Sequence, residues 1–189
     1  GISGVPWDAV ELPSQMMENW CWQDEVLEMI SGHFESGEPL PKQKIQRLQE
    51  ARNFQAGMLL LRQLEFALFD LTIHQATVAN DVQKTLDQVR DQIAVFIPPP
   101  FNRFQNSFSH IFAGGYASGY YSYSWAEVLS ADAFSLFEER GLFDPDTGRS
   151  FLENILEKGG SEDPLELFKA FRGREPEIDA LLRHRGLAA

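Results

Sequence analysis

The chain has 189 residues, with 28 acidic against 16 basic side chains and a formal net charge of -12. With no cluster of Lys or Arg along any predicted face, that balance argues against a nucleic-acid partner, because phosphate binding needs a positive footprint. The length suffices to bury a core as one compact body, and no apolar run approaches the roughly 20 residues that span a bilayer, so no membrane is expected either.

The single cysteine, Cys21, has no internal disulfide partner and lies between Trp20 and Trp22. A reducing compartment, the cytoplasm, fits that usage. The opening residues Gly1 to Pro6 carry neither an initiator Met nor a signal-peptide pattern and resemble the middle of a loop. The expectation is a fragment of something longer.

Taken in order, residues 14–34 place Met16, Met17, Trp20, Val26, Leu27, Ile30 and Phe34 at helical spacing and predict one helix. Gly32, Gly37, Pro39 and Pro41 end it. Glu11, Gln15 and Glu18 stand at i, i+4 and i+7, so they share a face if the helix reaches back past Pro13. Proline is comfortable only in a first turn or at a kink, and a solvated polar face is the plainer reading of these three side chains.

Beyond Pro41 a short helix around Ile45 and Leu48 precedes residues 54–71. There Phe54, Met58, Leu61, Leu64, Leu68 and Leu71 line one face while Leu60, Phe66 and Phe69 widen it, which predicts the most buried helix of the chain. Its Met and Phe stripe reads as core. His74 follows without a partner at metal-ligand spacing and reads as a surface or capping residue. Val82, Leu86, Val89, Ile93 and Phe96 predict a single-stripe helix over 81–96, stopped by Pro98, Pro99 and Pro100, which lead on as extended chain.

Residues 104–126, FQNSFSHIFAGGYASGYYSYSWA, hold all four tyrosines, His110 and three glycines, and no Asp, Glu, Lys or Arg. Phenols and an imidazole on uncharged, flexible backbone suit a site that hydrogen-bonds a neutral, extended ligand and polarises it. Gly114, Gly115 and Gly119 permit hinge-like closure over such a ligand. A helical pattern runs from about Ser118 to Gly141, and Tyr116, Tyr120 and Tyr123 fall on one side if it starts near Tyr116. Tyrosines as plain amphipathic packing residues are the alternative.

Asp144 to Gly148 form a turn, since a calcium loop would need a glutamate where Ile155 stands. Residues 150–158 predict a short helix. Asp163, Pro164 and Glu166 are an N-cap, a first helical residue and a third, and Glu175-Pro176 opens a last helix with Ile178, Leu181 and Leu182. The glycine pair 159–160 could cradle a phosphate, but no Lys or second motif element accompanies it. No strand-like alternation occurs, so the expected fold class is all-α, a helical bundle-like single region over residues 1–189.

The chain contains no H-E-x-x-H, G-x-S-x-G or C-x-x-C, and its four histidines show no metal-ligand spacing. Residues 4–20, GVPWDAVELPSQMMENW, however, resemble the V-E-x-P-S-Q-x-x-E-x-W signature of the thimet oligopeptidase and oligopeptidase A family of zinc metallopeptidases. The similarity continues through residues 53–57, 61–65, 110–125, 159–162 and 172–176. It covers essentially the whole chain and is greatest to the bacterial oligopeptidase A branch.

The resemblance implies the C-terminal part of a catalytic domain whose HExxH portion lies upstream and is absent here. It implies one zinc per full-length protein, with Glu11 as a ligand and Glu18 as a carboxylate orienting the site behind it. Metal-activated water would attack the carbonyl of a short peptide. Tyr123, Tyr116 and His110 would stabilise the transition state, Tyr120 with Gly114 and Gly115 would contact substrate, and Tyr121 would pack. The expected partners are short peptide substrates and the upstream part of the same polypeptide, and the isolated fragment should be inactive. A helical module that binds a peptide or protein without catalysis is the alternative, for which the missing HExxH speaks.

Overall fold

The computed structural model describes residues 4–75 and 81–188, and among them ten α-helices and no strand. The all-α class expected from the sequence holds. The helices are α1 (Leu12–Glu18), α2 (Asp24–Ile30), α3 (Lys42–Asn53), α4 (Ala56–Gln75), α5 (Val82–Ile93), α6 (Ser109–Phe112), α7 (Ser122–Arg140), α8 (Pro145–Phe151), α9 (Pro164–Arg172) and α10 (Asp179–His184). The chain divides into two compact units, residues 1–56 with 126–189, and residues 57–125.

Local chemistry sets several helix ends. Asp81, Asp144 and Asp163 cap α5, α8 and α9 by accepting backbone N–H groups of Lys84, Thr147 and Leu165 respectively. Gly173, with φ 83°, closes α9 in the left-handed conformation that glycine adopts without a Cβ penalty. The single helix expected over 14–34 is instead α1, a 3₁₀ turn (Asn19–Trp22) and α2. Asn19 Nδ2 donates to the carbonyls of Gln15 and Met16, and Gln23 is extended, so the ladder is interrupted there. Cys21 lies exposed on this turn.

In the first unit Ala9, Leu12 and Met16 pack with Leu129, Ala133, Phe134 and Phe137 of α7 and with Leu167, Phe168 and Phe171 of α9. Each buried large side chain contributes about 1.5–3 kcal/mol. The Trp20 indole meets Phe134 and Phe137 edge-on, at 4.7 and 4.9 Å, and donates Nε1–H to the Leu142 carbonyl at 2.9 Å. Gly160 approaches the backbone of Gly4 so closely that a Cβ would lie 1.7 Å from the Gly4 carbonyl oxygen. That approach accounts for a glycine at 160 without any phosphate.

In the second unit Phe69, Leu86, Val89, Phe108 and Ile111 form the core, flanked by Phe66, Phe104, Tyr116 and Tyr120. Glu65 is buried, and its Oε1 accepts from Arg62 at 2.6 Å and from Arg90 at 3.0 Å. The expectation that 54–71 is the most buried helix fails. Phe54, Met58, Leu59 and Leu64 are exposed, whereas residues 129–137 of α7 are buried without a break. Small residues such as Ala131, Ala133 and Ser135 let neighbours surround α7 on every side, which a search for large apolar side chains does not detect.

Candidate functional site

The tyrosine segment is built on a one-turn helix, a glycine turn and the start of α7. Helix α6 presents His110, and the chain then reverses: Ala113 and Gly114 both donate their N–H to the Ser109 carbonyl at 2.7 Å, and Tyr116 donates to the His110 carbonyl at 3.0 Å. Gly114 fits because an added Cβ would press on that carbonyl oxygen at 3.0 Å, and Gly115 has φ 83°. The turn that follows contains Ser118 at φ 59°, a left-handed conformation uncommon for a residue with a side chain.

This reversal brings His110, Tyr116, Tyr120 and Tyr123 together. The Tyr116 and Tyr123 rings stack at 4.8 Å, and Tyr120 meets Tyr123 at 5.3 Å. The His110 imidazole stands edge-on to Tyr120 at 5.6 Å and to Tyr123 at 6.1 Å. Helix α7 begins at Ser122, later than the expected start near Ser118, so the turn and not a continuous helix aligns the three phenols. Tyr121 is turned outward, 38 % exposed.

The Tyr120 hydroxyl donates to Gln63 Oε1 at 3.0 Å. Burial raises its pKa, the neighbouring Tyr123 adds to the rise and Arg62 opposes it, so the phenol stays protonated and able to donate. Sequence reasoning missed what lies behind the turn. Asp70 of α4, wholly buried, accepts the backbone N–H of Ser118 on Oδ1 and that of Tyr120 on Oδ2, both at 2.9 Å. His74 Nδ1 is 2.8 Å from Oδ1 and 2.8 Å from the Asp70 carbonyl. The signal was an aspartate inside the apolar run 66–73 with a histidine four residues on.

In the first unit Glu11 is the N-cap of α1, with Pro13 in the first turn, where proline is tolerated. Ser14 Oγ donates to the Glu11 carbonyl and to its Oε2, both at 3.0 Å, which sets the carboxylate's orientation. Gln15 donates its N–H to the Glu11 carbonyl at 3.0 Å, and Glu18 lies exposed at the far end of the same short helix. A half-exposed carboxylate suits one oxygen ligand of a zinc ion. Among the described residues no three His, Cys, Asp or Glu side chains converge as a metal site.

The model of peptidase family M3 matches residues 1–187, and the chain belongs to that family. It is 63 % identical to oligopeptidase A of Haemophilus influenzae and 58 % identical to that of Escherichia coli, in each case over 99 % of this chain and 28 % of the relative. With saccharolysin of Saccharomyces cerevisiae the identity is 35 %, over 99 % of this chain and 27 % of the relative. The chain thus spans a little over a quarter of the curated relatives it matches. No helix among the described residues is long and apolar enough to cross a membrane.

Proposed function

We propose that the full-length protein to which this chain belongs is a zinc metalloendopeptidase that hydrolyses short peptides in the cytoplasm, and that this chain is the C-terminal part of its catalytic domain. The observation that carries the reading is the meeting of one imidazole and three phenols on a segment without a charged side chain. Neutral donors aimed at one region suit an oxygen that acquires charge only as a peptide carbonyl is attacked.

Tyr123 and Tyr116 are the phenol donors to that oxygen, and His110 holds the same side of the substrate. Tyr120 supports Tyr123 and the substrate wall, because its own hydroxyl is engaged by Gln63. Gly114 and Gly115 let backbone approach the bound peptide without a Cβ in the way. Glu11 serves as one metal ligand, oriented by Ser14, with Glu18 behind it. Zinc, completed by ligands from the upstream part of the polypeptide, would supply carbonyl polarisation and activation of water.

The test is Tyr123→Phe in the full-length protein. The expected result is a kcat lower by roughly 10²–10³ with KM little changed, the size of a lost oxyanion donor. An unchanged kcat in steady-state cleavage of a short fluorogenic peptide would make Tyr123 a packing residue and remove the central support for this reading.

A further inference from the structure

Asp70 is 0 % exposed, yet no Lys or Arg pairs with it among the described residues. A buried carboxylate is costly unless it is hydrogen-bonded. Among the described residues its donors are the Ser118 N–H, the Tyr120 N–H and His74 Nδ1, which lies between two acceptor oxygens and therefore carries a proton. The first two flank Gly119, whose own N–H donates to the Tyr116 carbonyl at 2.8 Å. The carboxylate thus grips the three-residue turn that joins Tyr116 to Tyr120 and starts α7 two residues later.

Ser118 supplies an independent sign. Its φ of 59° is disfavoured for any residue with a Cβ, and such a conformation persists only where the surroundings fix it. Here the fixing contact is its N–H on Asp70 Oδ1 at 2.9 Å.

We propose that Asp70, steadied by His74, is the positioning residue of the tyrosine cluster: it never touches substrate and acts by holding the turn 118–120 so that the phenols of Tyr116 and Tyr123 stay stacked toward the reacting carbonyl. The proposal rests on the functional reading above. Asparagine is nearly isosteric, but it offers one acceptor oxygen and turns a donor amide toward the second N–H. The turn then loses one tether and is pushed from the other.

The test compares Asp70→Asn, Tyr123→Phe and the unmodified full-length protein. For Asp70→Asn, kcat should fall about 10–100-fold, as expected when reacting groups drift by an ångström, while KM for a short peptide stays within about threefold. Adding Ser118→Gly, which frees the turn from its conformational penalty, should restore roughly three- to tenfold of the lost kcat. A substitution that merely loosened the fold would not be rescued in this way. If Asp70→Asn leaves kcat intact while Tyr123→Phe lowers it, the positioning role is overturned and the peptidase reading stands; if both are silent, the reading itself fails. Should Asp70→Asn not fold, hydrogen exchange in the unmodified protein decides: protected amides at Ser118 and Tyr120 support the tether, and exchange at the rate of exposed loop overturns it.

Discussion

Asp70 in the second unit and Asp132 in the first are both sealed from solvent, yet one is held by backbone amides and a histidine and the other by two guanidinium groups. Asp132 accepts from Arg174 through both oxygens, at 2.6 and 2.7 Å, from Arg172 Nε at 3.2 Å and from the Glu177 N–H at 2.8 Å. Burial pushes its carboxyl up, but the Arg174 hydrogen bonds, the Glu177 amide and Arg172 outweigh that and bring its pKa below the ordinary aspartate range. Charge-assisted, bidentate contacts of this kind are roughly twice as strong as neutral ones. Asp132 therefore ties α7 firmly to the chain after α9 through two cations and an amide, whereas Asp70, which meets no guanidinium among the described residues, restrains one short turn.

The contrast can be broken experimentally. Asp132→Ala leaves Arg172 and Arg174 facing each other without their common partner and should cost about 3 kcal/mol in denaturant unfolding, the lower end for a broken buried pair because Arg174 can reach water. A loss below about 1 kcal/mol would place Asp132 among ordinary surface ion pairs. The same carboxylate predicts an acid limb. Its folded-state pKa is depressed, so its contribution is complete above the unfolded value of about 3.9 and disappears as pH falls through the folded value. Glu138 behaves alike: burial raises its pKa, and His184 and Arg183 more than reverse the rise. Melting temperature followed from pH 6 to 2 should drop in that acid range, and the drop should shrink in Asp132→Ala.

Asp70→Asn should cost somewhat less stability, about 1.5–2.5 kcal/mol, since one hydrogen bond to a charged acceptor is lost and one amide is left facing another donor, while the uncharged replacement keeps the other tether. A cost equal to that of Asp132→Ala would erase the distinction between the two sites. The smallest effect belongs to Ser118→Gly alone. Relief of the left-handed conformation, about 1 kcal/mol, is offset by the added freedom of glycine in the unfolded chain, so the melting curve should move by less than about 0.5 kcal/mol.

Much of this was legible in the residues. The cap at Asp163, the stripe Leu86 and Val89 on α5 and the all-helical class follow from local rules, whereas residues 144–148, expected as a turn, instead start α8 with Asp144 as its cap. The tyrosine cluster was visible as composition. Its geometry was not, because the alignment of Tyr116 with Tyr123 depends on a left-handed Ser118 and a carboxylate 48 residues upstream. Helical spacing predicted the right neighbours for a different reason. The apolar excess on α4 misled in the other direction: periodicity counts large side chains, while the burial of α7 rests on alanines and serines that allow close packing on all sides. Glu65 illustrates the same limit, since nothing local announces that it will be buried against Arg90 of another helix, whereas Asp70 did carry a local sign, its place in an apolar run with His74 four residues on.

The first unit is discontinuous in sequence, residues 1–56 with 126–189, while the second runs uninterrupted from 57 to 125. During synthesis from the N-terminus, the second unit has all its core residues, from Phe69 to Ile111, in hand before the first has acquired α7 or α9. Leu12 and Met16 cannot meet Phe134 and Phe168 until those residues are made, and closing so long an interval of chain is slow. The interval between those two events is when Met16 and its neighbours are available to a chaperone or to another unfinished chain. Order of assembly is thus written into the topology: the tyrosine-bearing unit can fold early, and the unit that carries Glu11 is completed only when the last helices arrive.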